Sequence, residues 1–135
     1  MFEYVVEKGY SDFLVEIGGE IRSSNDMKED WIIGIQNPRL NSIIKQVKLN
    51  NKSMATSGTY NNFFEYSGRI YSHILNPKTG YPYMYNSISA TIIADKCIDA
   101  DAYATLAMTM PPDKVIELIN KNDGVDCYIL EIEKN

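Results

Sequence analysis

The chain changes character abruptly between residues 87 and 112, and that change limits the folds open to it. Ser87 to Ala94 is rich in β-branched residues and reads as a core strand. Ile98 to Met110 is dominated by Ala, Leu and Met, which favour helix. Pro111-Pro112 ends that helix, and Pro112 fits the first turn of a second one running to about Lys121. Asp126 to Ile132 reads as a closing strand.

Upstream, the segments are shorter. Phe2, Val5 and Val6 recur at helical spacing, and Gly9 suits a left-handed cap. Phe13, Leu14, Val15 and Ile17 read as a buried strand that stops at Gly18-Gly19, and Glu20 to Arg22 continue the extended chain into a polar turn over residues 23 to 30. Trp31 to Ile35 is a further strand, ended by Asn37-Pro38. Ile43 to Leu49 alternates apolar and polar residues as a half-exposed strand does, and Asn50-Asn51 follows as a turn. Met54 to Tyr60 is a short segment of small residues. Phe63 to Tyr66 and Arg69 to Ile74 flank Ser67-Gly68, a hairpin signal. Several strands, two C-terminal helices and a last strand predict an α+β fold with an antiparallel or mixed sheet. With 135 residues and 44% apolar content, the chain suits one domain with one core.

Charge and cysteine content exclude some functions. A net charge of −5 with no basic run argues against non-specific nucleic-acid binding, which needs clustered Lys and Arg. Cys97 and Cys127 lack metal-ligand spacing and read as two buried free thiols rather than a disulfide. No apolar stretch approaches the roughly 20 residues that cross a bilayer. Met1 is followed by Glu3, Glu7 and Lys8 with no apolar run, so the chain as given is expected to be soluble and to carry no export signal.

Four segments carry chemistry. The densest is His73-Ile74-Leu75-Asn76-Pro77-Lys78-Thr79-Gly80-Tyr81-Pro82, which contains the chain's only histidine. Pro77 and Gly80 fix a turn that can hold an imidazole, a carboxamide and a hydroxyl at set positions, as a polar phosphate-bearing ligand requires. Taken alone, a lone His is more often structural than catalytic. The second is Asp99-Ala100-Asp101-Ala102-Tyr103-Ala104-Thr105. Asp101 and Thr105, four apart on a helix, share a face, and a carboxylate with a hydroxyl suits Mg²⁺. Alternatively, Asp99 or Asp101 caps the helix. Gly18-Gly19-Glu20 and Thr56-Ser57-Gly58 complete the set. Paired glycines allow close backbone approach to a ligand but also make ordinary turns, and neither segment has dinucleotide-fold or phosphate-loop spacing.

Taken in order, I17-G18-G19-E20-I21-R22, T56-S57-G58-x-Y60, H73-I74-x-x-P77-x-T79-G80-x-P82 and A100-D101-A102-x-A104-T105 resemble the motif succession of the ApbE flavin transferases. The resemblance covers nearly the whole chain. It implies the T-fold-like catalytic part of that family, and transfer of FMN from FAD onto a Thr or Ser hydroxyl of a flavoprotein subunit, releasing AMP. It further implies Asp101 and Thr105 as Mg²⁺ ligands and His73 as the catalytic residue beside the FAD pyrophosphate. Gly18, Gly19, Glu20, Ser57, Ile74 and Thr79 would line the FAD site. Asn76 and Thr59 stand where family members commonly carry Asp, and Asn cannot supply a negative charge or act as a base.

The family's members also have a long N-terminal part that supplies much of the flavin pocket and a backbone contribution to the metal site. Residues 1–135 are therefore expected to be the C-terminal part of such a domain, and apolar surface left uncovered is expected to drive homo-oligomer formation. Family members are typically exported and membrane-anchored. With water in place of the acceptor hydroxyl, the same site would act as an FAD pyrophosphatase. A non-catalytic flavin-binding or dimerising remnant is the alternative from another class.

Overall fold

The computed structural model describes residues 1–26, 29–38, 40, 42–59, 63–85 and 87–132. Its centre is a five-stranded antiparallel sheet in the order β1-β2-β5-β8-β9. These strands are β1 (Phe13–Ile17), β2 (Glu20–Ser24), β5 (Ser53–Gly58), β8 (Ser87–Ala94) and β9 (Asp126–Glu131). A short helix, α1 (Phe2–Glu7), precedes β1. The hairpin β3 (Trp31–Asn37) and β4 (Ser42–Leu49) is inserted between β2 and β5, and the hairpin β6 (Phe63–Tyr66) and β7 (Arg69–Ser72) between β5 and β8. The helices α2 (Cys97–Ala107) and α3 (Pro112–Ile119) join β8 to β9. The α+β reading, the antiparallel sheet and the two C-terminal helices thus hold. Among the described residues no helix is long and apolar enough to cross a membrane.

Strand alternation divides the core between the two sheet faces. On one face Ala55, Ala90, Ile92 and Ala94 meet Ala100, Ala104 and Ala107 of α2 and Val115 and Ile119 of α3. Alanines on both sides let α2 lie close to the sheet, so short side chains beside that seam can touch across it. On the other face Ile21, Met54 and Leu49 form a second cluster, with Leu14, Ile33, Val47 and Ile93 packed against it. The β3–β4 hairpin supplies Ile33, Val47 and Leu49 and so covers that side.

Three expectations need correction. Phe13–Ile17 forms a strand, but a half-exposed one, and Ile17 is 57% exposed. β1 lies at the edge of the sheet and, among the described strands, pairs only with β2. The segment from Met54 to Tyr60, read only as one of small residues, contributes to β5 (Ser53–Gly58), the middle strand of the sheet. Cys97 and Cys127 are free thiols, half-buried rather than fully buried. Tyr60 lies outside the described residues.

Candidate functional site

Gly18 and Gly19 are the two-residue turn of the β1–β2 hairpin, with Ile17 paired to Glu20. Their φ angles of +71° and +105° are left-handed, a conformation glycine adopts without the Cβ clash other residues meet. The turn aims Glu20 and, two residues on, Arg22 to the sheet face that carries α2. There Ile17, Glu20 and Arg22 share an open cleft of about 380 Å³ with Cys97, Ile98 and Asp101 from the start of α2. Phe2 and Val15 complete its apolar wall. Arg22 is held by an ion pair to Glu3 at 3.0 Å and lies 3.8 Å from the centre of the Phe2 ring. Burial pushes the Cys97 thiol up from its usual range, the charges of Glu20 and Asp101 push it further, and Arg22 opposes them. The thiol therefore remains protonated at neutral pH.

Asp101 is exposed and is the fifth residue of α2. The residue at the N-cap is Lys96, and no side chain makes a cap hydrogen bond there among the described residues, so neither Asp99 nor Asp101 caps the helix. One turn on, Thr105 Oγ1 lies 3.2 Å from Ser57 Oγ on β5. Asp101 thus reaches the β1–β2 side of the sheet and Thr105 its β5 neighbour, which puts both on the sheet-facing flank of α2. His73 and Thr105 are not in the lining of the Asp101 cleft. The walls of that cleft are mostly apolar, because β1 and α1 contribute Phe2, Val15 and Ile17.

The segment after β7 is built separately. His73 is exposed, and the next residue, Ile74, packs against the helix–sheet core that contains Ala104 and Ala107. From there the chain closes a small loop. The Asn76 amide donates to the Tyr81 carbonyl at 2.8 Å, the Gly80 amide donates to the Asn76 carbonyl at 2.8 Å, and Leu75 bridges to Pro82. Asn76 Oδ1 accepts the Lys78 amide at 2.9 Å, and Thr79 Oγ1 accepts the Tyr81 amide at 3.3 Å. Gly80, at φ +73°, makes the reversal possible.

A sequence profile of the ApbE family matches residues 1–129. The chain belongs to the ApbE family. It is 34% identical over 131 residues to an Escherichia coli (strain K12) protein named FAD:protein FMN transferase, a match covering 94% of this chain and 37% of that one. Among solved structures it resembles the apo form of the Pseudomonas stutzeri flavinyl transferase ApbE, with a TM-score of 0.81 and 31% identity over 98% of this chain and 42% of that one. The ApbE protein of Thermotoga maritima is similar too, with a TM-score of 0.77 and 36% identity over 88% of this chain and 40% of that one. The chain therefore spans less than half of the length of the relatives it matches.

Within this ApbE chain, the four motif segments meet the fold at three places. Glu20 and Asp101 share the cleft, and Ser57 and Thr105 share a hydrogen bond. Ile74 anchors the His73 loop to the core beneath α2. Among the described residues no group of three or more His, Cys, Asp or Glu side chains comes together as a metal site. The Asp101 carboxylate and the Thr105 hydroxyl are hard oxygen donors, the donor type that suits Mg²⁺. Arg22 and Cys97 were not singled out from the sequence as site residues. The two-residue spacing of Glu20 and Arg22 in a strand was the available signal for the first, and nothing marked the second.

Proposed function

We propose that residues 1–135 hold the divalent cation and the FAD pyrophosphate in an FAD:protein FMN transferase. Asp101 and Thr105 would ligate Mg²⁺ through their side-chain oxygens. Gly18, Gly19 and Glu20 at the β1–β2 turn, Ser57, the Ile74 backbone and Thr79 would line the FAD site. The observation that carries this reading is the convergence of Glu20 with Asp101, and of Ser57 with Thr105, in a chain whose family match runs from residue 1 to residue 129.

The reaction joins a Thr or Ser hydroxyl of an acceptor flavoprotein to the FMN phosphorus. The hydroxyl oxygen forms the new P–O bond, the pyrophosphate P–O bond breaks, and AMP leaves with the bonding electron pair. His73 accepts the hydroxyl proton or orients the hydroxyl. Bound Mg²⁺ would neutralise charge on the pyrophosphate oxygens as AMP departs. Asp101 and Thr105, one helical turn apart, present their oxygens from a rigid element, and the closed Asn76–Tyr81 loop fixes the chain immediately after His73.

The test is titration of the purified chain with FAD, with Mg²⁺ and with EDTA, followed by assay of AMP release. Tighter FAD binding in Mg²⁺ is expected, and it should disappear in Asp101→Ala. Equal binding in both conditions contradicts the reading.

A further inference from the structure

Resting on the reading of Thr105 as a cation ligand, we propose that Ser57 is a positioning residue that sets the rotation of the Thr105 hydroxyl. A hydroxyl has one proton and two lone pairs. When its oxygen binds a cation, a lone pair must face the ion and the proton must be directed away to an acceptor.

In a helix the default acceptor for a Thr hydroxyl is a backbone carbonyl three or four residues back. Thr109, just beyond α2, does this, with Oγ1 donating to the Leu106 carbonyl at 2.7 Å. Thr105 does not. Among the described residues its side-chain partner is Ser57, at 3.2 Å across the helix–sheet seam. Ser57 is half-buried and is held by the pairing of β5 with β8, opposite Ala90. Ala90 and Ala104, both fully buried, set the close approach of α2 to the sheet that brings the two hydroxyls together.

With the cation bound, Thr105 donates its proton to Ser57 and turns a lone pair toward the ion. Without it, either hydroxyl can be the donor, so the pair adapts without moving either backbone. Ser57 never touches the cation in this arrangement. Its contribution is to remove the rotational freedom and the local back-bonding that compete with ligation.

The test uses Mn²⁺ as the probe, with free Mn²⁺ followed by electron paramagnetic resonance in the presence of FAD. Thr105→Ala should lose most of the binding. Ser57→Ala should weaken it about ten- to a hundredfold, the range for groups that orient a metal ligand. Ser57→Thr, which keeps the hydroxyl, should restore it, and unfolding midpoints in EDTA should be alike for all three. Unchanged Mn²⁺ affinity in Ser57→Ala, with affinity lost in Thr105→Ala, overturns the positioning role and leaves the metal reading standing. Unchanged affinity in both Thr105→Ala and Asp101→Ala overturns the metal reading and the Ser57 role with it. Should Ser57→Ala fail to fold, Ser57→Cys keeps the volume with a weaker acceptor, and undiminished Mn²⁺ affinity in it overturns the proposal.

Discussion

Asn76 Oδ1 accepts the backbone amide of Lys78 at 2.9 Å, closing the turn that follows His73. What the turn uses is an acceptor oxygen, which a carboxylate supplies as well as an amide. Asn76→Asp should therefore fold with a stability change within about 0.5 kcal/mol. Asn76→Ala should lose roughly 1 kcal/mol and weaken FAD binding, because the Lys78 amide loses its partner. Urea unfolding and FAD titration of the two variants measure both effects, and an Asn76→Ala protein indistinguishable from the parent would remove the turn's role.

The Cys97 thiol reports on the charge in the cleft. Its pKa is raised by burial first and by Glu20 and Asp101 next, so its thiolate fraction at a given alkaline pH is lower than that of a free cysteine. Removing a negative charge lowers the pKa and raises that fraction. Asp101→Asn should thus speed iodoacetamide labelling of Cys97 and shift its pH profile to lower pH. Cys127 is the internal control, since its pKa is raised by burial and Asp126. Equal acceleration at both thiols, or none at Cys97, would place Asp101 away from the cleft.

Gly18 holds a φ of +71°, and a Cβ added to it would come within 3.0 Å of Glu20 Oε2. Gly18→Ala should cost about 1–2 kcal/mol from the left-handed backbone. It should also push the Glu20 carboxylate from its place in the cleft and weaken FAD binding. Chemical denaturation together with FAD affinity tests this, and a fully stable Gly18→Ala protein would contradict it.

The outer face of the β3–β4 hairpin carries Ile32 and Ile43, 61% and 64% exposed. Ile43 closes over Gly34, where an added Cβ would lie 3.0 Å from its Cδ1. Exposed apolar side chains of this kind favour association, and we expect the chain to form a dimer or larger assembly. Sedimentation at micromolar concentration should show it, and Ile43→Lys should shift the chain toward monomer. A monomeric parent chain would refute the expectation.

The parts of the fold legible in the sequence are those whose local signal and tertiary setting agree. Ser87–Ala94 is rich in β-branched residues and paired on both sides, and Pro112 opens α3 as its fixed φ favours. β5 was not legible as a strand. Ala55, Thr56, Ser57 and Gly58 have little strand propensity as a group, and their conformation comes from pairing to β2 and β8 on either side. The half-exposure of β1 was hidden because an apolar run does not announce that it will lie at an edge. At the site, the Asp101 and Thr105 spacing gave a shared helix face. The hydroxyl pair of Ser57 and Thr105 was beyond reach, since it depends on how closely α2 settles on the alanines of the sheet.

The cation and pyrophosphate role is tested most directly by a chimera in which residues 1–135 replace the matching stretch of the Escherichia coli FAD:protein FMN transferase. AMP release from FAD is measured with an acceptor protein present, in Mg²⁺ and in EDTA. The predicted result is Mg²⁺-dependent AMP release that Asp101→Ala abolishes. Asp101 is exposed and makes no side-chain hydrogen bond or ion pair among the described residues, so its loss should change stability by less than about 0.5 kcal/mol. AMP release by a folded Asp101→Ala chimera at the parent rate would contradict the assignment.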